Sequence, residues 1–247
     1  MFKFVRMRNL TAILILVVFC SNRSISQGLF DKQLPKRTYD ASVVDSIYGI
    51  TIYEELVMAL GGDSVRKNGV YACNGWFEDA YLDGTIIHKG FYQSGQLQSY
   101  KNFYPNGQCE RDFSSLDAMF AECKLYFPTG QMKSKVKYVE GSAKEWTDYY
   151  TNGVVQFEEK MNKSMDYYEY QKFYYPSGKP SKIFELVDKK KMVFNYTEYY
   201  ESGTVKVQGQ RIFIKDSNTY FDNGEWNYFD ESGSKTKTDK FDRGVKL

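Results

Sequence analysis

The sequence predicts an all-β protein, an antiparallel meander of repeated β-hairpins that forms an elongated, twisted sheet with a short N-terminal helix as a cap. Three observations indicate this fold. A five-residue pattern recurs along most of the chain, turn signals follow one another at regular intervals, and apolar residues alternate with charged ones between the turns. The chain also has 22 Tyr and 18 Phe, and aromatic residues are enriched on half-buried pleated surfaces.

The recurring pattern is aromatic, aromatic, any residue, a small polar residue and glycine. Its seven copies, too many for chance, are FYQSG at 91–95, FYPNG at 103–107, YFPTG at 126–130, YYTNG at 149–153, YYPSG at 174–178, YYESG at 199–203 and YFDNG at 220–224. An eighth copy, YFDESG at 228–233, has one extra residue. Such repetition predicts a row of units, each of which buries its apolar face on its neighbours. We predict that the pattern closes hairpin turns at Gly95, Gly107, Gly130, Gly153, Gly178, Gly203, Gly224 and Gly233.

Turn signals from Gly69 onward are mostly about 10–14 residues apart, which fits one strand and one turn each. The Asn-Gly pairs predict type I′ turns, in which both central residues have positive φ. Most steps between the glycines of the pattern correspond to a full hairpin, but the step from Gly95 to Gly107 is about half as long. We therefore expect the least regular part of the array there, and any specialised site there or at the N-terminal cap.

Apolar and charged residues alternate in the segments between the turns. After the copy at 126–130, Met132, Val136 and Tyr138 alternate with lysines. This period of two predicts a sheet with one apolar face and one charged face, as in antiparallel sheets. Parallel crossovers do not fit, since they need a dozen or more connecting residues.

Residues 1–26 have the features of a signal peptide. Lys3, Arg6 and Arg8 precede an apolar core over residues 10–20, and small serines then lead to a cleavage site before Gln27. The sequence therefore predicts export to the periplasm, the cell surface or the medium. One alternative is an uncleaved membrane anchor, but the apolar core is shorter than the roughly 20 residues of a membrane span. The other is lipid attachment at Cys20, but a lipidation site needs a small residue before the cysteine, and here that residue is Phe19.

The rest of the chain divides into three predicted parts: a flexible linker at 27–44, an N-terminal cap at 45–68 and a repeat domain at 69–247. In the cap, Thr51 and Glu54 have the spacing of a capping box. Apolar residues at helical spacing follow, and two glycines end the segment, which predicts a helix over 52–60. The alternative is a strand over 47–53, because that stretch is β-branched and aromatic.

Composition and motifs exclude several classes of function. The net charge is +2, which argues against a nucleic-acid binder and against electrostatic attachment to a membrane. His88 is the single histidine, and we expect it to be a structural strand residue. Adjacent carboxylates such as Glu158 and Glu159 point to opposite faces of a strand. Gly61 and Gly62 are interpreted as the end of a helix rather than a phosphate-binding loop. We predict no catalytic, cofactor-binding or metal-binding residue.

Three cysteines, Cys73, Cys109 and Cys123, follow the predicted leader. A hairpin centred on Leu116 would place Cys109 directly opposite Cys123, within the Cα separation of a disulfide. We therefore predict a cross-strand disulfide between these two, and the state of Cys73 stays open. The alternative is that both are buried thiols that act as small apolar residues.

The repeat resembles the bacterial variant of the MORN-type repeat, which occurs in strings within exported proteins. The segment GEWNYFDESGSKTKTDKFDRG at 224–244 resembles it in the places of Trp226, Tyr228, Phe229 and Gly233, and EWTDYYTNG at 145–153 is similar. The resemblance covers about residues 80–247 and implies a string of hairpins. It does not fix the function: some such proteins are labelled antitoxins, a cytoplasmic role that does not fit the predicted export, and eukaryotic relatives are linked to membranes or act as scaffolds and dimerisers.

These observations lead to three hypotheses for function. The first is an exported, non-enzymatic scaffold or binding module that acts on a protein or a cell-envelope component through its extended sheet face, without a cofactor. The second is an envelope enzyme, such as a carbohydrate hydrolase, that uses a carboxylate pair in a groove. The third is a protein of the membrane surface. We expect the paired aromatics to form the thin core of the sheet, with a binding role for their outward-facing members as the alternative.

Overall fold

The computed structural model describes residues 36–53, 65–115 and 119–247. They form a long sheet of sixteen strands and two small sheets of two strands each. Two short 3-10 helices lie at Ala41–Val43 and Lys215–Ser217. The strands are β1 (Thr38–Tyr39), β2 (Val44–Asp45), β3 (Gly49–Ile50), β4 (Lys67–Asn68), β5 (Tyr71–Ala72), β6 (Gly75–Tyr81), β7 (Ile86–Gln93), β8 (Gln96–Phe103), β9 (Cys109–Ser115), β10 (Phe120–Tyr126), β11 (Met132–Val139), β12 (Ser142–Tyr149), β13 (Val155–Met161), β14 (Tyr168–Tyr174), β15 (Pro180–Asp188), β16 (Val193–Tyr199), β17 (Val205–Ile214), β18 (Thr219–Phe229), β19 (Lys235–Asp242) and β20 (Val245–Lys246).

The large sheet is the predicted antiparallel meander. From β6 to β20 each strand pairs with the next one in the chain, and β1 adds a short parallel pairing to the free side of β6. The predicted fold class is therefore confirmed. The predicted helix at 52–60 is not confirmed, because Ile52 and Tyr53 are in a turn and residues 54–60 lie outside the described part of the chain. Of the alternative strand at 47–53, only Gly49–Ile50 is extended and paired. No helix among the described residues has the length and apolar character of a membrane span.

Seven turns line one edge of the sheet, which we call the repeat edge. Their glycines are Gly84, Gly107, Gly130, Gly153, Gly178, Gly203 and Gly233. The first four follow one another every 23 residues. Two of the predicted turn glycines lie elsewhere, since Gly95 closes the β7–β8 turn at the opposite edge and Gly224 lies inside β18. The short step from Gly95 to Gly107 therefore joins two turns at opposite edges of the sheet. The repeat-edge turns stay evenly spaced across it, so the expectation that this is the least regular part of the array is wrong.

The Asn-Gly turns are not of the predicted type I′. Gly107 N donates to Tyr104 O at 2.8 Å and Tyr104 N donates to Gln108 O at 2.8 Å. Gly107 has a φ of 79°, whereas Asn106 is not among the residues of positive φ. This is a type I turn followed by a left-handed glycine, a common three-residue hairpin loop. Turns with two consecutive positive φ values lie at the opposite edge, at Ser94–Gly95, Glu140–Gly141 and Arg243–Gly244.

Each repeat-edge turn is followed by a β-bulge. In the β8–β9 pair, Phe103 faces Cys109 and Asn102 faces Arg111, so that Glu110 is the extra residue. The same shift recurs in every such hairpin, three positions after the turn glycine. We call the extra residues the bulge residues: Ile87, Glu110, Lys133, Gln156, Ser181, Lys206 and Thr236. Because a bulge re-aims side chains, these residues form a second row beside the turns.

The two faces of the sheet differ as the alternation predicts. On the outer face, Lys89 pairs with Glu78 at 3.1 Å, Lys101 with Asp112 at 3.0 Å and Lys137 with Glu145 at 2.7 Å. On the inner face, aromatic and aliphatic side chains meet from strand to strand. They form buried clusters that include Tyr92, Leu97, Tyr100 and Phe113 near the N-terminus, and Tyr167, Phe184, Phe194 and Phe213 further on.

Two segments before β6 pack on the first hairpins. Residues 36–53, which we call the arm, begin with β1 and continue over the inner face, where Ile50 and Tyr53 are buried against Tyr81 and Ile87. The described part of the predicted linker, 36–44, belongs to this arm. The segment 65–74 lies at the opposite edge, where Arg66 N donates to Gly95 O at 2.7 Å.

The predicted disulfide is not present. Cys123 faces Phe113 across β9 and β10, and Cys109 faces Phe103 on β8, so that the two cysteines are out of register. The predicted centre of the hairpin, Leu116, lies outside the described residues. Cys73, Cys109 and Cys123 are free thiols. Burial raises the pKa of Cys109 and of Cys123 to about 11, which fits the alternative of thiols that act as small apolar residues.

Candidate binding surface on the inner face

The inner face at β6 and β7 holds two side chains from the preceding segments. Asp79 is fully buried and its carboxylate accepts hydrogen bonds from both of them. Tyr53 Oη donates to Asp79 Oδ2 at 3.0 Å, and Arg66 donates from Nη1 to Oδ2 at 3.2 Å and from Nη2 to Oδ1 at 2.5 Å. A buried carboxylate needs such partners, so this pairing fixes the arm and the 65–74 segment to the sheet.

Aromatic contacts complete this site. The ring of Tyr53 stacks on His88, with centroids 3.8 Å apart and an angle of 11° between the planes. The guanidinium of Arg66 lies 4.9 Å from the centre of the Phe77 ring. We call Phe77, Asp79 and His88 the covered site, because side chains of the same chain occupy it.

His88 is part of this packing and has no exposed edge. Its Nδ1 lies 2.8 Å from Asn102 Oδ1, and its Nε2 lies 3.1 Å from Tyr92 Oη. Burial lowers the pKa of His88 to about 4, so that the ring is neutral at neutral pH. The same burial, reinforced by Asp79, raises the pKa of Tyr53 far above its ordinary value. The structure thus places His88 in a structural role.

Two bulge residues hold the arm nearer the repeat edge. Ile50 N donates to Glu110 Oε1 at 3.4 Å, and Lys133 Nζ donates to Ile47 O at 2.9 Å. Gly49 has a φ of 73°, which favours glycine, and a Cβ there would lie 2.3 Å from Glu110 Oε1 and displace that side chain. Burial raises the pKa of Glu110 to about 7. The arm therefore follows the row of bulge residues across the first hairpins.

A cleft of about 400 Å³ lies between the β2–β3 hairpin of the arm and the repeat-edge turns. Its apolar lining includes Val44, Ile47, Tyr104, Phe127 and Pro128. At this cleft, the arm does not cover the part of the inner face that lies beside the turns.

Beyond the arm, the inner face of β12 to β14 carries aromatic side chains that are not fully covered. Trp146 is 37% exposed, and Phe157 and Phe173 are half-buried with ring centroids 4.6 Å apart. Asp148 faces Phe157 and Glu159 faces Trp146 across the strand pair. We call these five residues the open patch.

The polar groups of the open patch are oriented by near neighbours. Trp146 Nε1 donates to Asp148 Oδ1 at 2.7 Å, and Gln171 Nε2 donates to Glu159 Oε2 at 2.8 Å. Lys182 Nζ lies 3.8 Å from the centre of the Phe173 ring. The patch thus combines aromatic rings with two carboxylates, a combination suited to cationic or aromatic groups of a partner.

The inner face is closed again further along the sheet. Tyr167, from the β13–β14 connection, packs on Phe194 and Phe213. Tyr220 Oη accepts a hydrogen bond from Tyr168 N at 2.9 Å. The open patch therefore lies between the part under the arm and a buried aromatic cluster.

Most aromatic pairs of the repeat pattern lie at the repeat edge, whereas those at 91–92 and 220–221 do not. The hydroxyl of the tyrosine three residues before a turn glycine donates to the carbonyl of the residue four before the next turn glycine. These bonds run from Tyr81 to Phe103 at 2.8 Å, Tyr104 to Tyr126 at 2.9 Å, Tyr150 to Tyr174 at 2.8 Å, Tyr175 to Tyr199 at 2.7 Å and Tyr200 to Phe229 at 3.0 Å. The pattern therefore joins neighbouring hairpins, and its turn glycines are structural.

Trp146 and Asp148 of the open patch lie in the repeat copy at 145–153, but nothing in the sequence alone indicated that they form a site. The aromatic members of the open patch lie outside the five-residue pattern, and their signal is the repeat spacing, through which each occupies a fixed position relative to a turn glycine. Within the described residues, no group of histidine, cysteine, aspartate or glutamate side chains is arranged to hold a metal ion.

Comparison with known families supports the repeat assignment. Residues 121–140 match the family described as a MORN repeat variant. The match spans most of the β10–β11 hairpin, with one repeat-edge turn and the bulge residue Lys133. The comparison with curated proteins gives no match. The chain therefore contains a MORN-like repeat.

Proposed function

We propose that this protein is an exported, non-enzymatic binding module that holds a partner protein or a cell-envelope component on the inner face of its sheet. One observation carries the proposal. The inner face of the first hairpins already holds a polypeptide, the arm, whereas the open patch presents similar aromatic surface with Trp146 37% exposed. Partly exposed aromatic anchors that flank polar groups are typical of protein-binding surfaces.

The repeat family fits this proposal, because MORN repeats are generally binding or scaffold modules. The leader-like features of residues 1–26 support export. The direct test of export is fractionation of cells that express the full chain or a chain without residues 1–26. We expect only the full chain outside the cytoplasm, and its retention inside would contradict this part of the proposal.

Binding is tested by capture from a native envelope fraction. The bait proteins are the wild type, a Trp146→Ala, Phe157→Ala double variant, and Trp76→Ala as a matched control. Trp76 is 60% exposed and lies on the outer face, since it alternates with Phe77 along β6. We expect the wild type and the control to retain the same partner and the double variant to lose it. Equal recovery by all three would refute binding at the open patch.

A further inference from the structure

The repeat spacing relates the open patch to the covered site. The turn glycines Gly84 and Gly153 are three repeats, or 69 residues, apart. Adding the same 69 residues to the covered site, Phe77, Asp79 and His88, gives Trp146, Asp148 and Phe157 of the open patch. The pairing is also equivalent, since Asp79 faces His88 and Asp148 faces Phe157. The two sets therefore occupy the same positions in their hairpins.

The chemistry of the two sets is equivalent as well. In each, an aromatic ring, a carboxylate and a second planar ring stand side by side on the inner face. At the covered site these groups hold the guanidinium of Arg66 and the ring and hydroxyl of Tyr53. At the open patch the carboxylate and the second ring are half-buried and the first ring is 37% exposed.

We infer that the open patch accepts an arginine side chain and an aromatic side chain from a segment of a partner polypeptide, in the way that the covered site holds Arg66 and Tyr53. This inference rests on the proposed function and names the chemistry of its partner. The arginine lies on the Trp146 ring and donates to the Asp148 carboxylate, and the aromatic ring stacks on Phe157.

The local groups favour an arginine. Tryptophan is the best aromatic platform for a cation, and a planar guanidinium both stacks on it and donates to a carboxylate, which an ammonium does less well. The Trp146 indole uses Asp148 Oδ1, so that Oδ2 is the acceptor that we assign to the guanidinium. Glu159 adds a second negative charge beside Trp146, whereas the nearby Lys182 lies over Phe173.

The test uses the full chain and blocked peptides of the sequence Tyr-Gly-Gly-Arg, with Lys or Glu in place of Arg in two further peptides. Binding is followed by calorimetry and by the NMR signal of the Trp146 indole N–H. We expect saturable binding of the arginine peptide, at least about fivefold tighter than the lysine peptide, and no binding of the glutamate peptide. Equal affinity for all three, or no saturable binding, would overturn the inference.

Variants locate the site. Trp146→Ala and Asp148→Asn should each weaken binding of the arginine peptide about tenfold or more. The first removes the ring on which the guanidinium lies, and the second removes the charged carboxylate that accepts its hydrogen bond. The matched controls Trp76→Ala and Glu145→Gln, which remove the same groups from the outer face, should leave affinity unchanged. Asp148→Glu keeps the charge and should retain binding, which would show that a substitution at this position does not itself unfold the protein. Unchanged affinity in Asp148→Asn would refute the assigned carboxylate.

The peptide-binding experiment and the capture experiment can give different outcomes, so they test the inferred chemistry and the proposed function separately. If capture of the envelope partner depends on Trp146 and Phe157 but the arginine peptide does not bind, the proposed function stands and the inferred chemistry is wrong. If the arginine peptide binds at Trp146 but capture is unaffected, the site exists and the envelope partner uses another surface.

Discussion

Among single residues, Phe127 is the exception in the row of tyrosine hydroxyls at the repeat edge. It is the second aromatic residue of its turn, and it has no hydroxyl to donate to the carbonyl of Tyr149. Phe127→Tyr should therefore stabilise the fold by about 1 kcal/mol, the usual net value of one hydrogen bond. The measurement is the free energy of unfolding in urea. The matched control is Tyr150→Phe, which removes one such bond and should cost a similar amount; no difference between the two variants would contradict the role of the row.

Two buried titratable residues, His88 and Glu110, oppose each other in the dependence of stability on pH. Burial lowers the pKa of His88 to about 4, from 6.5. The unfolded state therefore binds more protons than the folded state in this range, and stability is lost as the pH falls from 6.5 towards 4. Burial raises the pKa of Glu110 to about 7, from 4.5. The folded state then binds more protons, and stability is lost as the pH rises from 4.5 to 7.

We expect these two contributions nearly to cancel between pH 6.5 and pH 5, so that the wild type has an almost constant free energy of unfolding. Glu110→Gln removes one of them. Its free energy of unfolding should fall by about 2 kcal/mol between pH 6.5 and pH 5, because only the His88 contribution remains. Urea titrations at a series of pH values measure this. A variant as insensitive to pH as the wild type would show that His88 is not held neutral in the folded state.

At the level of elements, the turns at the two edges of the sheet have different conformations and therefore different sequence requirements. Glu140 has a φ of 47° and precedes Gly141, with a φ of 81°. Asparagine adopts positive φ more readily than glutamate and is preferred in such turns. Glu140→Asn should stabilise the β11–β12 hairpin by roughly 0.5–1 kcal/mol, as measured by thermal and urea unfolding. Glu140→Ala is the control and should give no gain, because alanine has no preference for positive φ.

The hairpins were predictable from the sequence, but the edge at which each turn lies was not. FYQSG at 91–95 and YFDNG at 220–224 have the same pattern as the repeat-edge turns. Gly95 instead closes a two-residue turn at the opposite edge. Gly224 continues a strand, because β17 pairs with Asn223 on one side and β19 pairs with Gly224 on the other. Conversely, Gly84 lies at the repeat edge although Ala80 replaces the first aromatic residue of the pattern. Strand pairing thus decides the outcome, and it depends on residues distant from the five-residue pattern.

The open patch was also not predictable from local sequence. The sequence indicated a possible binding role for the outward-facing members of the aromatic pairs, but the structure uses the second aromatic tyrosines as donors between hairpins. Trp146 and Phe157 become candidate binding residues only because the arm covers the equivalent positions elsewhere and leaves these partly exposed. Which part of the sheet the arm covers is a long-range property of the fold, set by contacts such as that of Lys133 with Ile47.

In the molecule as a whole, the 23-residue repeat determines which chain segments can be deleted without changing the pairing register of the strands. Deletion of residues 131–153 joins one repeat-edge turn directly to the strand that follows the next, so that inner-face residues stay on the inner face. We expect this variant to fold cooperatively with a moderate loss of stability, since repeat arrays depend on contacts between neighbouring units.

The control is deletion of residues 131–142, about half a unit. It joins a repeat-edge turn to a strand that runs in the wrong direction, and we expect it to lose cooperative unfolding, because a mispaired strand exposes apolar residues. Circular dichroism and urea unfolding compare the two. Similar, cooperative unfolding of both deletions would contradict the unit defined by Gly130 and Gly153.

The arm has a consequence for the order of events during synthesis. Pairing between consecutive strands makes the sheet itself a structure of local contacts, which form quickly. The arm is different, since Ile47 contacts Lys133, 86 positions later in the chain. At a synthesis rate of about 5–20 residues per second, the arm is made roughly 4–17 s before that part of its docking surface exists. The arm therefore docks late, and until then the inner face of the first hairpins is as accessible to other molecules as the open patch is in the finished protein.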